Sequence, residues 1–192
     1  MTGLKYVLAL AATLALAACY PPITSQPIGT SAGLKPDPTL DGTWKGTDQD
    51  GKPGYVHFLP HVNDDETMAV LLPAHGSGDV IVATFTSVRF GSHGYLNVRL
   101  AQANGEDIKD QPPGTVPVLY RLDARGRLTL AMMDDKAVKA AVAAHTLAGT
   151  IGRGDYGDVT ITEEPAALDK FMASPAALKL FARPFYTAHR VD

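Results

Sequence analysis

Polar and apolar residues alternate one for one over residues 95–101. Leu96, Val98 and Leu100 fall on one side, and Tyr95, Asn97 and Arg99 on the other. A period of two with one wet face predicts a strand of an antiparallel sheet. Shorter β-type runs precede it at 43–47, 55–59 and 67–72, and a long one covers 79–90. They are separated by turn-forming clusters: Asp48-Gln49-Asp50-Gly51-Lys52-Pro53-Gly54, Asn63-Asp64-Asp65, the break at 73–78, and Gly91-Ser92-His93-Gly94. Beyond a polar loop at 102–115, the runs 116–122 and 127–133 read as a hairpin around Asp123-Ala124-Arg125-Gly126.

The period then lengthens. Val138, Ala141, Val142 and His145 recur at three- and four-residue spacing, and Asp134 or Asp135 can cap the helix they predict, running to about residue 147. Glycines at 149, 152, 154 and 157 end it, and 157–162 is a last strand. Glu164-Pro165-Ala166-Ala167-Leu168 is echoed by Ser174-Pro175-Ala176-Ala177-Leu178. Proline at the first helical position is a start signal, so two short helices are expected, to about Met172 and about Phe181. Leu168, Phe171, Met172, Leu178 and Phe181 would cover the sheet. The fold class that follows is mainly β with C-terminal helices (α+β): an antiparallel barrel or strongly curved sheet of seven to eight strands, packed by two to three helices.

The N-terminus follows another logic. Lys5 precedes an uncharged run of 13 residues, 6–18. That is shorter than the roughly 20 residues of a spanning helix and fits the core of a secretory signal peptide. It ends Leu16-Ala17-Ala18-Cys19, which resembles the lipobox of bacterial lipoproteins. The resemblance implies that residues 1–18 are cleaved and that Cys19 is lipidated, its thiol carrying diacylglycerol and its freed amine an acyl chain. Two or three chains anchor far more firmly than one. Tyr20 after the cysteine implies, by the same resemblance, the outer membrane facing the periplasm. Residues 20–40 hold five prolines and no period, and read as an extended tether after the lipidated cysteine. The globular domain is then 41–192.

Composition narrows the function. Of 192 residues, 45% are hydrophobic and 19% charged, which fits a folded domain and not a multi-span membrane protein. Lys and Arg total 17 against 20 Asp and Glu, a net charge of −3, so nucleic acid is not an expected partner. Cys19 is the only cysteine, so the domain stands without a disulfide.

Leu40-Asp41-Gly42-Thr43-Trp44 resembles the Gly-x-Trp opening of lipocalin-like (calycin) barrels. The resemblance implies that Trp44 closes one end of a barrel. The chain departs from that pattern in the placement of its helices, because two follow the one expected at Asp134.

Candidate chemistry is sparse. His75-Gly76-Ser77-Gly78-Asp79 brings together the residue types of a hydrolase triad, yet neighbours in a tight turn diverge. The strand between Ser77 and His93 is too long for those two to meet. His57 and His61 on one strand would stand about 13 Å apart, too far to share a metal ion. Asp48-Gln49-Asp50-Gly51 starts like a calcium loop, but Leu59 occupies the position of its final glutamate. Arg153-Gly154-Asp155 reads as a loop. No catalytic, cofactor or metal residue is assigned. The tyrosine-bearing sides (Tyr55, His57, Leu59; Tyr95, Asn97, Arg99) either line a cavity or face water. The expected function is a non-enzymatic envelope lipoprotein, attached to the membrane by its lipid anchor, that binds an envelope protein. The alternatives are a lipocalin-like binder of a lipid or small amphiphile, and an envelope hydrolase. The address is directly testable: Cys19→Ser removes the acyl chains and the membrane association, as read by mass spectrometry of the N-terminus and by fractionation.

Overall fold

The computed structural model describes residues 21–59, 66–73, 79–109, 111–152, 159–181 and 184–191. In chain order these form β1 (Ile23–Thr24), β2 (Gly42–Asp48), β3 (Pro53–Leu59), β4 (Thr67–Pro73), β5 (Ile81–Phe90), β6 (His93–Ala103), β7 (Glu106–Asp107), β8 (Val116–Leu122) and β9 (Arg127–Met132). Then come α1 (Asp135–Ala143), β10 (Gly149–Ile151), β11 (Val159–Ile161), α2 (Pro165–Met172), a 3-10 turn (Ala177–Leu180) and β12 (Pro184–Arg190).

Eight strands pair antiparallel with their neighbours in the order β2-β3-β4-β5-β6-β8-β9-β12, and β12 returns to β2. The result is a closed barrel of the expected class, with helices and a small sheet (β1, β11, β10) against it. Closure leaves no long unpaired edge among these strands. Below, the lower end of the barrel is where β2 starts and the upper end is where β2 finishes.

Register decides what faces in. Trp44 lies opposite Val56, Phe58 opposite Ala69, Phe85 opposite Val98, Leu96 opposite Val118, and Tyr120 opposite Leu130. These side chains form the interior cluster. The alternate parity runs as a row across four strands on the outside: Val88, Tyr95, Leu119, Ala131. That row is the floor of a second core, covered by Ile28, Val138, Leu168, Met172 and Phe181. The helices therefore pack on one wall of the barrel, and the Tyr95 hydroxyl donates to the Met172 carbonyl at 2.9 Å.

Local chemistry explains the boundaries. Asp134 caps α1 by accepting from the Ala137 amide at 2.8 Å. The helix ends at Ala143 and not at 147, because His145 takes a left-handed backbone with φ 54°. Asp48 and Asp123 build two hairpin turns of one design. The Oδ1 of Asp48 accepts from the amides of Asp50 and Lys52, and that of Asp123 from those of Arg125 and Arg127. Gly94 sits where any Cβ would strike the Tyr120 ring.

Three expectations need correction. The second proline signal does not open a full helix: Ser174 bonds back to the Phe171 carbonyl, and only the four-residue 3-10 turn follows. β12 was not expected, since its Pro-Phe-Tyr-Thr-Ala-His-Arg sequence carries little apolar alternation, yet it closes the barrel. Most important, residues 21–40 are not a free tether. They form a strap that starts at the upper end, where Thr24 and Thr115 exchange backbone hydrogen bonds of 2.9 and 3.0 Å. The strap descends the outer wall, where Asn97 bonds both the amide and the carbonyl of the fully buried Ile28. Asp169 of α2, 6% exposed, accepts from the amides of Gly29, Ser31 and Ala32 at 2.6–2.9 Å. The strap then turns under the lower end and feeds β2 through buried Leu40. The prolines suit such a path, since they fix φ and need no donor partner.

Asp169→Ala strands three amides that now bond a carboxylate. It should cost roughly 3 kcal/mol. Hydrogen exchange at Gly29, Ser31 and Ala32 should accelerate while the β3–β4 amides stay protected.

Candidate functional site: an apolar cavity in the upper half of the barrel

An eight-stranded barrel is at the size limit where side chains can fill the interior or leave room for one small ligand. Here the two halves differ. Trp44, Tyr120, Leu128 and Leu40 fill the lower half, each no more than 1% exposed. In the upper half the paired positions Ala69 and Ala83 carry only methyl groups. The space they leave is part of a cavity of about 430 Å³, within the usual range for ligand sites. Its walls are Val56, Phe58, Leu71, Phe85, Leu96 and Val98, among others, and no charged side chain lines it among the described residues. Its open side is at the upper end, where the lining residues Leu100 and Met132 are each 37% exposed. Pro21, Ile23, Pro112 and Thr115 complete that rim. Gln111 also lines it, and its amide group is engaged with the backbone of Leu100 and Ile108.

A second recess of about 590 Å³ adjoins the mouth. It shares Val56, Leu71, Ile81 and Phe185 with the cavity and adds Asp48, Lys52, Tyr55 and Asp79. Within it Tyr186 donates to the Gly54 carbonyl at 2.9 Å, and burial pushes its phenol up to about 12. The chamber is apolar, and the recess beside it mixes apolar walls with Asp48, Lys52 and Asp79, a pairing that suits a molecule with a tail and a head.

The floor is built by the strap. The Trp44 indole N–H donates to the Leu40 carbonyl at 2.7 Å, and the Arg190 guanidinium lies over the Trp44 ring at 4.9 Å. Arg190 also bonds the Thr39 carbonyl at 2.6 Å. Asp37 is the hub: Tyr120 donates to its Oδ2 at 2.6 Å, Arg89 meets the same oxygen at 3.0 Å, and Thr39 bonds its Oδ1. Burial alone would raise the Asp37 carboxyl, but the bonds from Thr39, Tyr120 and Arg89 outweigh it and hold the pKa below its ordinary value. Burial and the neighbouring carboxylate push the Tyr120 phenol well above its own, so it remains a donor.

Of the sequence candidates, Asp48, Tyr55 and Asp79 border the second recess, and the other described ones fall elsewhere. The sides bearing Tyr55, His57 and Leu59, and Tyr95, Asn97 and Arg99, do not line the cavity; the opposite sides do. His57 stacks on Tyr55 and bonds Thr43 at 2.8 Å. Tyr95 and Asn97 hold α2 and the strap, and Arg99 donates to the Gly114 carbonyl. His93 packs edge-on against Tyr95 at the lower end of β5, whereas Asp79 bonds Asn104 near its upper end. Cys19, His61, the Asn63-Asp64-Asp65 turn, His75-Gly76-Ser77-Gly78 and Arg153-Gly154-Asp155 lie outside the described residues. The cavity itself was missed in the sequence. The available signal was a pair of alanines facing each other at apolar positions, which is visible only once the β4–β5 register is known.

Comparison with family models, curated proteins and solved structures found no match to this chain. The cavity's own chemistry therefore carries the functional reading.

Because the folded Asp37 pKa is depressed, its contribution is present above the ordinary carboxylate pKa and lost as pH falls through the folded value. Asp37→Asn should lower the urea midpoint most at neutral pH. Its difference from wild type should shrink once the pH is taken below about 4.

Proposed function

We propose that this chain is a non-enzymatic, lipid-anchored envelope lipoprotein whose barrel binds a single-chain amphiphile. The tail occupies the upper cavity and the head group the adjoining recess. The observation that carries the reading is the blind apolar chamber of about 430 Å³. Well-packed interiors hold few voids larger than a water molecule, and an open apolar space of this size loses contacts that a ligand restores. Burying about ten methylenes is worth on the order of 8 kcal/mol before the costs of association. That is of the size of the cost of association, so a tail of this length is the part of a ligand that the chamber can hold on to.

The address comes from Leu16-Ala17-Ala18-Cys19, which supports export and acylation at Cys19, and from Tyr20 after it, which supports delivery to the outer membrane. Between the two binding readings of the sequence, an envelope protein or a small amphiphile, the cavity favours the amphiphile. The lipocalin-like Gly42-Thr43-Trp44 opening agrees with it: Trp44 sits at the closed end of an eight-stranded barrel. A hydrolase draws no support from His93 and Asp79, which stand beyond opposite ends of β5.

The test uses the mature chain carrying Cys19→Ser, titrated with a fluorescent long-chain fatty acid. Saturable binding of one probe per chain is expected, with a blue-shifted emission. Ala83→Phe and Ala69→Phe each place a ring in the chamber and should weaken binding at least tenfold with the circular-dichroism spectrum unchanged. Absence of saturable binding, or full binding by both folded variants, would overturn the reading.

A further inference from the structure

The strap changes where the anchor must be. A 21-residue tether would hold the barrel away from the bilayer, in any orientation. In the structure the chain is already fixed at Pro21 and Ile23, and both line the rim of the cavity. Ile23 is 6% exposed, and the strand it begins pairs in parallel with β11. Thr24 is locked to Thr115 by two backbone bonds and by an Oγ–Oγ contact of 3.1 Å. Gly114, at φ 122°, lets that loop press on the Thr24 carbonyl, an approach any Cβ would block. Cys19 precedes Pro21 by two residues, and two residues of extended chain reach only about 7 Å.

A second feature of the rim is independent of the anchor. Leu100 and Met132 are large apolar side chains, each 37% exposed, and both border the opening. Pro21 and Pro112 stand beside them. Leu59 and Val191 at the lower end are somewhat more exposed, but they border no opening, whereas Leu100 and Met132 present apolar surface at the mouth itself. The lower end is closed by Trp44, Arg190 and Asp37, so exchange through it would require dismantling the floor.

Resting on the reading that Cys19 is acylated and the cavity binds an amphiphile, we propose that the mouth is held against the bilayer and that the cavity loads its single-chain amphiphile directly from the membrane. The lipid anchor then acts as a docking device that presents the opening to the lipid surface. The ligand class follows from that source: a lysophospholipid or free fatty acid resident in the same leaflet, whose tail enters the cavity without crossing water.

The experiment places the acylated mature protein in phosphatidylcholine vesicles containing a pyrene-labelled lysophospholipid and follows the rate of probe uptake. A flexible Gly/Ser insert of 20 residues between Tyr20 and Pro21 frees the mouth by roughly 25 Å. It should slow uptake at least tenfold and leave aqueous fatty-acid binding by the corresponding Cys19→Ser chain unchanged. Leu100→Ser with Met132→Ser should slow uptake in the same direction. Equal uptake rates with and without the insert would overturn the proposal in favour of loading from water. Absence of uptake by the acylated protein, with binding retained by the Cys19→Ser chain, would overturn it in favour of occupation by the protein's own acyl chain. Loss of aqueous binding by the Cys19→Ser chain itself would instead defeat the amphiphile reading on which the proposal rests.

Discussion

The backbone ladder that seats β12 between β9 and β2 is the constraint on which the other features depend. Tyr186, Thr187, Ala188 and His189 pair on one side with Leu130–Arg127 and on the other with Asp48–Lys45. Without that strand the sheet would keep two open edges, and its curvature would have nothing to close against. With it, the inward parity of every strand points into one enclosed space. Arg190, at the end of the same strand, reaches across to Trp44 and the Thr39 carbonyl, so closure of the wall and closure of the floor are made by one segment.

The enclosed space is unequal along its axis, and the inequality lies in side-chain volume. Indole, phenol and leucine side chains crowd the lower half, and paired alanines leave the upper half open. The polar groups at the floor are matched: the Trp44 N–H, the Tyr120 hydroxyl and the Arg89 guanidinium each have a partner on the strap. The two buried ones, on Trp44 and Tyr120, hold a geometry because leaving one unpaired is costly. The floor is therefore closed and the chamber blind, which gives the opening at the other end its direction.

The strap joins the two ends of the barrel from outside. It touches the rim at Ile23, the second core at Ile28 and the floor at Asp37 and Leu40. Asp169 and Asn97 are the fasteners, and both satisfy backbone groups that the strap, lacking a long ladder of its own, could not satisfy internally. One proline-rich segment thus couples the site where an anchor would leave the protein to the site where a ligand would enter.

Much of this was legible in the residues. Alternation over 95–101, the two Asp-x-x-Gly turns, the Asp134 cap and the Pro165 start are local signals, and local sterics and hydrogen bonding act on them in any surroundings. The strap, the β12 closure, the direction each sheet face points and the chamber were not legible. Prolines in a tether and prolines in a packed strap look alike until a buried carboxylate such as Asp169 supplies their neighbours with partners. A polar strand such as 184–190 pairs because two edges await it, and not because of its own pattern. By itself the sequence determined most of the barrel strands, the Asp48 and Asp123 turns and the helix starts at Asp134 and Pro165, all of which depend on neighbours in the chain. Only the tertiary structure decided which side faces inward and where the interior is left empty, because both depend on residues opposed across strands whose register no single segment encodes.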